Sequence, residues 1–268
     1  GKALGAVPSS TVGYERIRNW AFQYQNNESD FVAGLLKGQP EPPRYFAMMK
    51  KLNKIMRPLQ TSVPQYPKLS MEEFTRLYQS GTTVIDTRHK FDFAKGYLPN
   101  SINIQHNRTF NTWAGWILDY TKPFILIIDE NEQDEIARKL MRIGLDNVVG
   151  YITVEAIPQL GIPLEQQQLI GFQEMNDVLD NPNVQILDVR NTAEFTAEHL
   201  PHATHLFVGT IEDNLDKIDR TKELYLHCQS GDRATIAASI LAKNGIKDIK
   251  IYSASINDWK AKGGILVK

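Results

Sequence analysis

Cys228 is the only cysteine among 268 residues. It follows the apolar run Leu224-Tyr225-Leu226-His227 and opens the loop Cys228-Gln229-Ser230-Gly231-Asp232-Arg233-Ala234, after which an alanine-rich helical pattern runs to Gly245. A buried strand that passes through a short loop into a helix delivers the sulfur to the helix N-terminus. There the macrodipole and Arg233 favour a thiolate, and anions bind as well. A lone cysteine without such context is a small apolar core residue. Here Ser230-Gly231 is turn chemistry and Asp232-Arg233 is solvated surface, which argues against core packing. Gly231 takes positive φ at no steric cost, so successive N–H groups curl into a nest. Cys228 is therefore expected to be the nucleophile and Arg233 its catalytic partner, with Gln229, Ser230, Gly231, Asp232 and Ala234 holding substrate through the loop.

The loop resembles the active-site loop of the rhodanese sulfurtransferases, Cys-x-x-Gly-x-Arg between strand and helix. Upstream, Leu187-Asp188-Val189-Arg190, Glu194-Phe195 and His199-Leu200-Pro201 are similar to a second rhodanese segment, with Glu198 in place of the usual glycine. Ser253-Ala254-Ser255 stands before Trp259 where the family commonly carries Gly-Gly. The resemblance implies an α/β fold in which each domain is a mostly parallel sheet with helices on both faces.

The elements that position the loop occur twice. Val84-Ile85-Asp86-Thr87-Arg88, Phe93 and Leu98-Pro99 recur at a constant offset of 102 positions as Ile186-Leu187-Asp188-Val189-Arg190, Phe195 and Leu200-Pro201. A constant offset points to duplication of one unit. Strands are expected at 84–86, 102–104, 124–128 and 148–151 in the first copy, and at 185–188, 204–206, 224–227 and 249–252 in the second. Strand and helix alternation gives a parallel sheet with its ligand crevice at the carboxyl ends of the strands. Residues 158–168, with Gly161, Pro163 and a glutamine run, read as a linker. The domains are thus 1–60, 61–160 and 161–268.

The first copy lacks the chemistry. Asp129 takes the place of the cysteine, the loop from Asp129 to Glu135 is two residues shorter, has no arginine, and five of its seven residues are acidic. Such a cluster repels a sulfur oxyanion, and no lysine or metal-ligand pattern accompanies Asp129 for phosphoryl chemistry. Residues 61–160 are read as an inactive copy. Asp86 and Arg88 persist there, which makes Asp188 and Arg190 a structural pair. His199, His202 and His205 are spaced by three, but Pro201 interrupts any helix, so no metal site is assigned. Trp113 and Trp116 read as core or interface aromatics.

Residues 1–15 and 35–53 are similar to the tail of a metallo-β-lactamase-fold domain, as found in persulfide dioxygenase and rhodanese fusion proteins. That resemblance implies a non-haem iron, expected only in an upstream domain because no His-x-His-x-Asp-His run occurs here, and a role in sulfide detoxification. Within this segment Phe46, Met49, Leu52 and Ile55 form a packing stripe, and 1–60 are expected either to be poorly ordered or to lie on the rhodanese units.

The near-balanced charge, formally -1, excludes a nucleic-acid footprint, and the 42% hydrophobic content is that of a globular chain. No apolar run approaches a membrane span, and one free thiol suits a reducing compartment, so a cytoplasmic location is expected. The partners implied are small-molecule sulfur donors and thiol acceptors, with homo-oligomer formation open. The implied activity is transfer of sulfane sulfur from thiosulfate or a persulfide through a Cys228 persulfide. Because Asp232 subtracts positive potential, weakly charged donors are expected to compete well with thiosulfate. The alternatives are a phosphatase or arsenate reductase, whose Cys-x5-Arg loop is one residue longer, and a noncatalytic scaffold.

Overall fold

The computed structural model describes residues 9–24, 27–39 and 41–268, in two compact units, Gly1–Pro42 and Pro43–Lys268. The smaller unit is helical. Thr11 caps the Val12–Arg18 helix through the Tyr14 N–H, Asn27 caps Glu28–Leu36 through Asp30, and the Tyr24 ring lies against Gly34, where only a small residue fits. Residues 1–8 and Pro40 of the lactamase-like stretches lie outside the described residues.

The larger unit holds two parallel sheets. In the first, β1 (Thr83–Asp86), β2 (Ile102–Asn103), β3 (Phe124–Ile128) and β4 (Val148–Thr153) run in the order β2-β1-β3-β4. In the second, β5 (Gln168–Ile170), β6 (Val184–Asp188), β7 (Thr204–His205), β8 (Glu223–His227) and β9 (Ile249–Tyr252) run in the order β5-β9-β8-β6-β7. The eight expected strands are present, each within two residues of its reading.

β5 falls where the linker ends. Its Gln168 is exposed and it pairs only with β9, so an edge strand with one wet side carries no apolar run to announce it. A 3-10 helix, Val154–Leu160, runs from the end of β4 into the start of the linker, and Glu165 bridges back to Tyr97. The first sheet has a vestige of the same edge, since Lys68 bridges Tyr151 in parallel.

Every residue of β3 is buried, as an unbroken run of Phe, Ile and Leu requires when both faces of a sheet are covered. Ile125 and Ile127 pack with Phe74, Leu98 and Ile157 on one face, while Phe124, Leu126 and Ile128 pack with Phe110, Ile136 and Leu140 on the other. That second face continues without a break into Leu187, Leu226, Ala237 and Leu241 of the other copy, so the two repeats share one core. The Asp232–Lys243 helix is buried from Ala234 to Leu241, and its Ser239 Oγ accepts the N–H of Asn103 in β2 at 3.1 Å. Small side chains permit that close approach between copies. Trp116 meets Phe207 edge-on across the same junction at 5.1 Å, so it serves as an interface aromatic.

Part of the leading sixty residues packs on the first copy, as one of the two expectations held. In the Arg44–Leu52 helix, Tyr45 covers Gly115, and Met49 and Leu52 cover Gly144. The stripe differs from the reading, however: the helix ends at Leu52, and Phe46 and Ile55 are about half exposed (47% and 50%). The packing face is 45, 49 and 52.

Candidate active site

Cys228 follows the last residue of β8, and the helix Asp232–Lys243 begins four residues later. Between them the chain makes a nest. Gly231 has φ +94°, the left-handed conformation anticipated for it, and its N–H donates to Cys228 Sγ at 3.1 Å. A Cβ at this position would lie 2.0 Å from the Ser253 carbonyl oxygen, so both φ and space demand glycine. The first helical hydrogen bond runs from Thr235 N–H to Gly231 O at 3.0 Å, which leaves the N–H groups of Asp232, Arg233 and Ala234 ahead of it at the positive end of the dipole.

A second helix supports the nest from below. Ser255 Oγ accepts the Cys228 N–H at 3.1 Å and donates to Tyr252 O at 2.7 Å. The N–H groups of Ile256 and Asn257 donate to the carbonyls of Cys228 and Gln229, each at 3.2 Å, and Gln229 Nε2 donates to Asn257 Oδ1 at 2.6 Å. Ser255 is fully buried with φ +57°. The Ser253-Ala254-Ser255 departure from Gly-Gly thus carries a hydroxyl that anchors the cysteine backbone, and glycine could not supply it.

The predicted site residues come together, with two changes of role. The sulfur is not at a solvated surface: Cys228 is 1% exposed and packs in the shared core, with Gly231 and Ala234 also buried and only Ser230 open. The loop's polar composition concealed this, because the Gly231 amide bonds the sulfur while the charged side chains of Asp232 and Arg233 are paired within the protein. Arg233, expected to offer charge to the donor, is held by Glu194 through two bonds, Nη1 to Oε2 at 2.5 Å and Nη2 to Oε1 at 2.7 Å. Burial opposes the ionisation of Glu194, but the guanidinium overcomes it and keeps the carboxyl below its ordinary range. Asp232 is likewise paired, with Lys90 of the first copy at 2.8 Å.

Behind the loop, Arg190 grips Asp188 through Nε and Nη2 and also bonds Glu198 O at 2.7 Å; Arg88 repeats this on Asp86 and Gly96 O. Identical geometry in both copies marks the pair as strand-end structure. His227, next to Cys228, is fully buried, and burial drives its pKa below the ordinary value although Asp188 lies 3.7 Å away. His199 and His205 stack on either side of Phe195, at 3.9 and 4.8 Å, while His202 pairs with Asp180. Among the described residues no three His, Cys, Asp or Glu side chains converge on a metal position. In the first copy Asp129 accepts the Asn131 N–H at 3.0 Å and caps a 3-10 turn, so no nest forms there.

Sequence reasoning missed Glu194 and Lys90 as site residues. Glu194 had a signal, its place three residues after Asn191, which caps its helix; Lys90 had none, because its partners lie about 140 residues away.

A rhodanese-like domain model matches residues 70–153 and again residues 172–262, more than half of the sequence. The chain belongs to the rhodanese family. This rhodanese is 26% identical over 130 residues to a putative sulfur carrier protein, YrkF, of Bacillus subtilis, covering 48% of this chain and 64% of that one. It is 28% identical over 112 residues to the thiosulfate:glutathione sulfurtransferase of Saccharomyces cerevisiae, covering 36% of this chain and 81% of the relative. Among solved structures, a metallo-beta-lactamase from Staphylococcus aureus is 35% identical with a TM-score of 0.47, over 57% of this chain and 41% of that one. The chain therefore spans less than two thirds of the length of the first and last of these. No helix among its described residues is long and apolar enough to cross a membrane.

Proposed function

We propose that this rhodanese is a sulfurtransferase working by double displacement on Cys228. The observation that carries the reading is the Gly231 N–H held 3.1 Å from Sγ, with the first amides of the Asp232–Lys243 helix beside it. The Cys228 thiolate attacks the outer sulfur of thiosulfate. As the new Sγ–S bond forms, the S–S bond of the donor breaks and its electron pair leaves with sulfite. The terminal sulfur of the resulting persulfide carries the negative charge, which amide donors stabilise where it develops. A thiolate or cyanide acceptor then takes that sulfur and restores Cys228. Thiosulfate sulfurtransferases among the relatives support this reading.

A phosphatase reading fares worse, because it needs a guanidinium free to face phosphate and Arg233 is clamped on Glu194. We also propose, on the strength of the sequence resemblance, that residues 1–60 are the tail of a metallo-β-lactamase-fold domain in a persulfide-detoxifying parent, and, from the single free thiol, that the protein works in the reducing cytoplasm. Any iron would sit in that upstream domain, and no step above passes through it.

The test is to mix the protein with thiosulfate and record its intact mass. Addition of one sulfur atom, lost on treatment with cyanide and missing in Cys228→Ser, is the expected result. An unmodified mass after prolonged exposure to excess donor overturns the reading.

A further inference from the structure

Lys90 opens the helix Lys90–Lys95 of the copy that has no nucleophile, yet its ammonium is buried in the active-site loop of the other copy. Nζ donates to the Ser230 carbonyl oxygen at 2.5 Å and to Asp232 Oδ1 at 2.8 Å. Asn107, also of the first copy, donates to Asp232 Oδ2 at 3.3 Å. A lysine taken out of water at this depth persists only when paired, and both of the hydrogen bonds its ammonium makes go to the loop that holds Cys228.

The geometry of one peptide makes this more than a tether. Ser230 and Gly231 share a trans peptide bond, so the Ser230 C=O and the Gly231 N–H point in opposite directions from one rigid plane. Lys90 takes the oxygen; Cys228 Sγ takes the hydrogen at 3.1 Å. An ammonium on the carbonyl both fixes the plane's rotation and polarises the amide, strengthening its N–H as a donor. Without it the plane is free to turn about Gly231, the one residue in the loop with no side chain to resist.

We propose that Lys90 is a positioning residue for sulfur transfer: it aims the Gly231 N–H at the Cys228 sulfur and at the persulfide formed on it. The noncatalytic copy thereby contributes to the active site, and neutralisation of Asp232 follows from the same contact. This inference rests on the sulfurtransferase reading for its kinetic consequence but not for its structural one.

The experiment uses the whole chain with Lys90→Met, Lys90→Arg and Asp232→Asn. In wild type the Gly231 amide proton, bonded to sulfur, is expected downfield in a ¹H–¹⁵N spectrum and to move in Cys228→Ser. Lys90→Met is expected to move it as well, Asp232→Asn to leave it in place, and Lys90→Arg to return it most of the way. Sulfur loading by Lys90→Met should fall roughly tenfold to hundredfold in kcat with thiosulfate and with glutathione persulfide alike, less than the roughly hundredfold to thousandfold lost when such a donor is removed outright, because the amide is misaimed and not deleted. If Lys90→Met does not fold, the Lys90→Arg and Asp232→Asn spectra carry the test: an Asp232→Asn shift as large as that of Cys228→Ser overturns the proposal. An unmoved Gly231 resonance in folded Lys90→Met overturns it too, as does a loss confined to KM for thiosulfate that Asp232→Asn reverses. A wild type that takes up no sulfur, with the Gly231 shift still dependent on Lys90, refutes the activity and leaves the positioning role standing.

Discussion

Arg233 and Glu194 face each other as a two-bonded ion pair, one from the start of the Asp232–Lys243 helix and one from the first turn of the Thr192–Ala197 helix. Glu194 also accepts the Asn191 N–H at 3.2 Å, closing a capping box, so a single carboxylate caps one helix and locks the Cys228 loop to it. The fork geometry that makes arginine a good anion ligand is here occupied by the protein itself.

Glu194→Gln keeps a capping side chain and removes the charge. Half-burial of the pair makes its loss felt, and unfolding in urea is expected to show a destabilisation of about 2 kcal/mol. The freed guanidinium then adds positive potential near Cys228, so the ratio of thiosulfate to glutathione persulfide turnover should rise. A variant with unchanged stability and an unchanged donor ratio would show that the pair is neither a strut nor a charge sink.

Gly231→Ala places a methyl group 2.0 Å from the Ser253 carbonyl and forces an L-residue to φ +94°. The loop cannot keep its shape with that substitution. Destabilisation of about 3 kcal/mol or more is expected from backbone strain and the clash together, with loss of sulfur loading on Cys228. Retention of wild-type loading in a folded Gly231→Ala protein would contradict the nest.

These two residues show what the sequence made legible. Gly231 was readable because a glycine three residues past a strand-end cysteine has few other reasons to be there, and the five-residue apolar run of β3 and the shorter run Leu224-Tyr225-Leu226 within β8 announced strands buried on both faces. Glu194 lay inside a recognised segment, yet its contact with Arg233 joins residues 39 positions apart and no local pattern encodes it. Cys228 read as exposed because the residues that follow it are polar, whereas the sulfur itself packs in the apolar core and takes one loop N–H, that of Gly231. Lys90 looked like any first-turn lysine, and only the packing of the two copies gives it partners.

His227 makes stability depend on pH. Burial lowers its pKa in the folded protein, so the folded state keeps it neutral while the unfolded chain protonates near the ordinary value of about 6.5. Above that pH both states are neutral and His227 leaves stability unaffected. As pH falls through it, the unfolded state binds the extra proton and stability declines, by at most about 1.4 kcal/mol per pH unit for one group. Urea midpoints measured from pH 8 to pH 5 should fall in the lower half of that range, and His227→Gln should flatten the curve there. A wild type and variant with parallel curves would remove His227 as the cause.

Donor choice follows from the pairing of charges. Arg233 is matched by Glu194 and Asp232 by Lys90, so the side chains around Cys228 contribute no net charge, and the loop attracts anions chiefly through its amides. Amide donors recognise a terminal sulfur without requiring a dianion behind it. Thiosulfate should therefore lead glutathione persulfide by no more than about tenfold in kcat/KM, a difference of about 1.4 kcal/mol in transition-state stabilisation. Weak net charge also predicts a weak dependence on ionic strength: moving from low to physiological salt should change thiosulfate turnover by less than about threefold, where a site with an uncompensated arginine would lose more. A hundredfold preference for thiosulfate that collapses with added salt would mean that the Arg233–Glu194 pair opens during turnover and delivers the guanidinium to the donor after all.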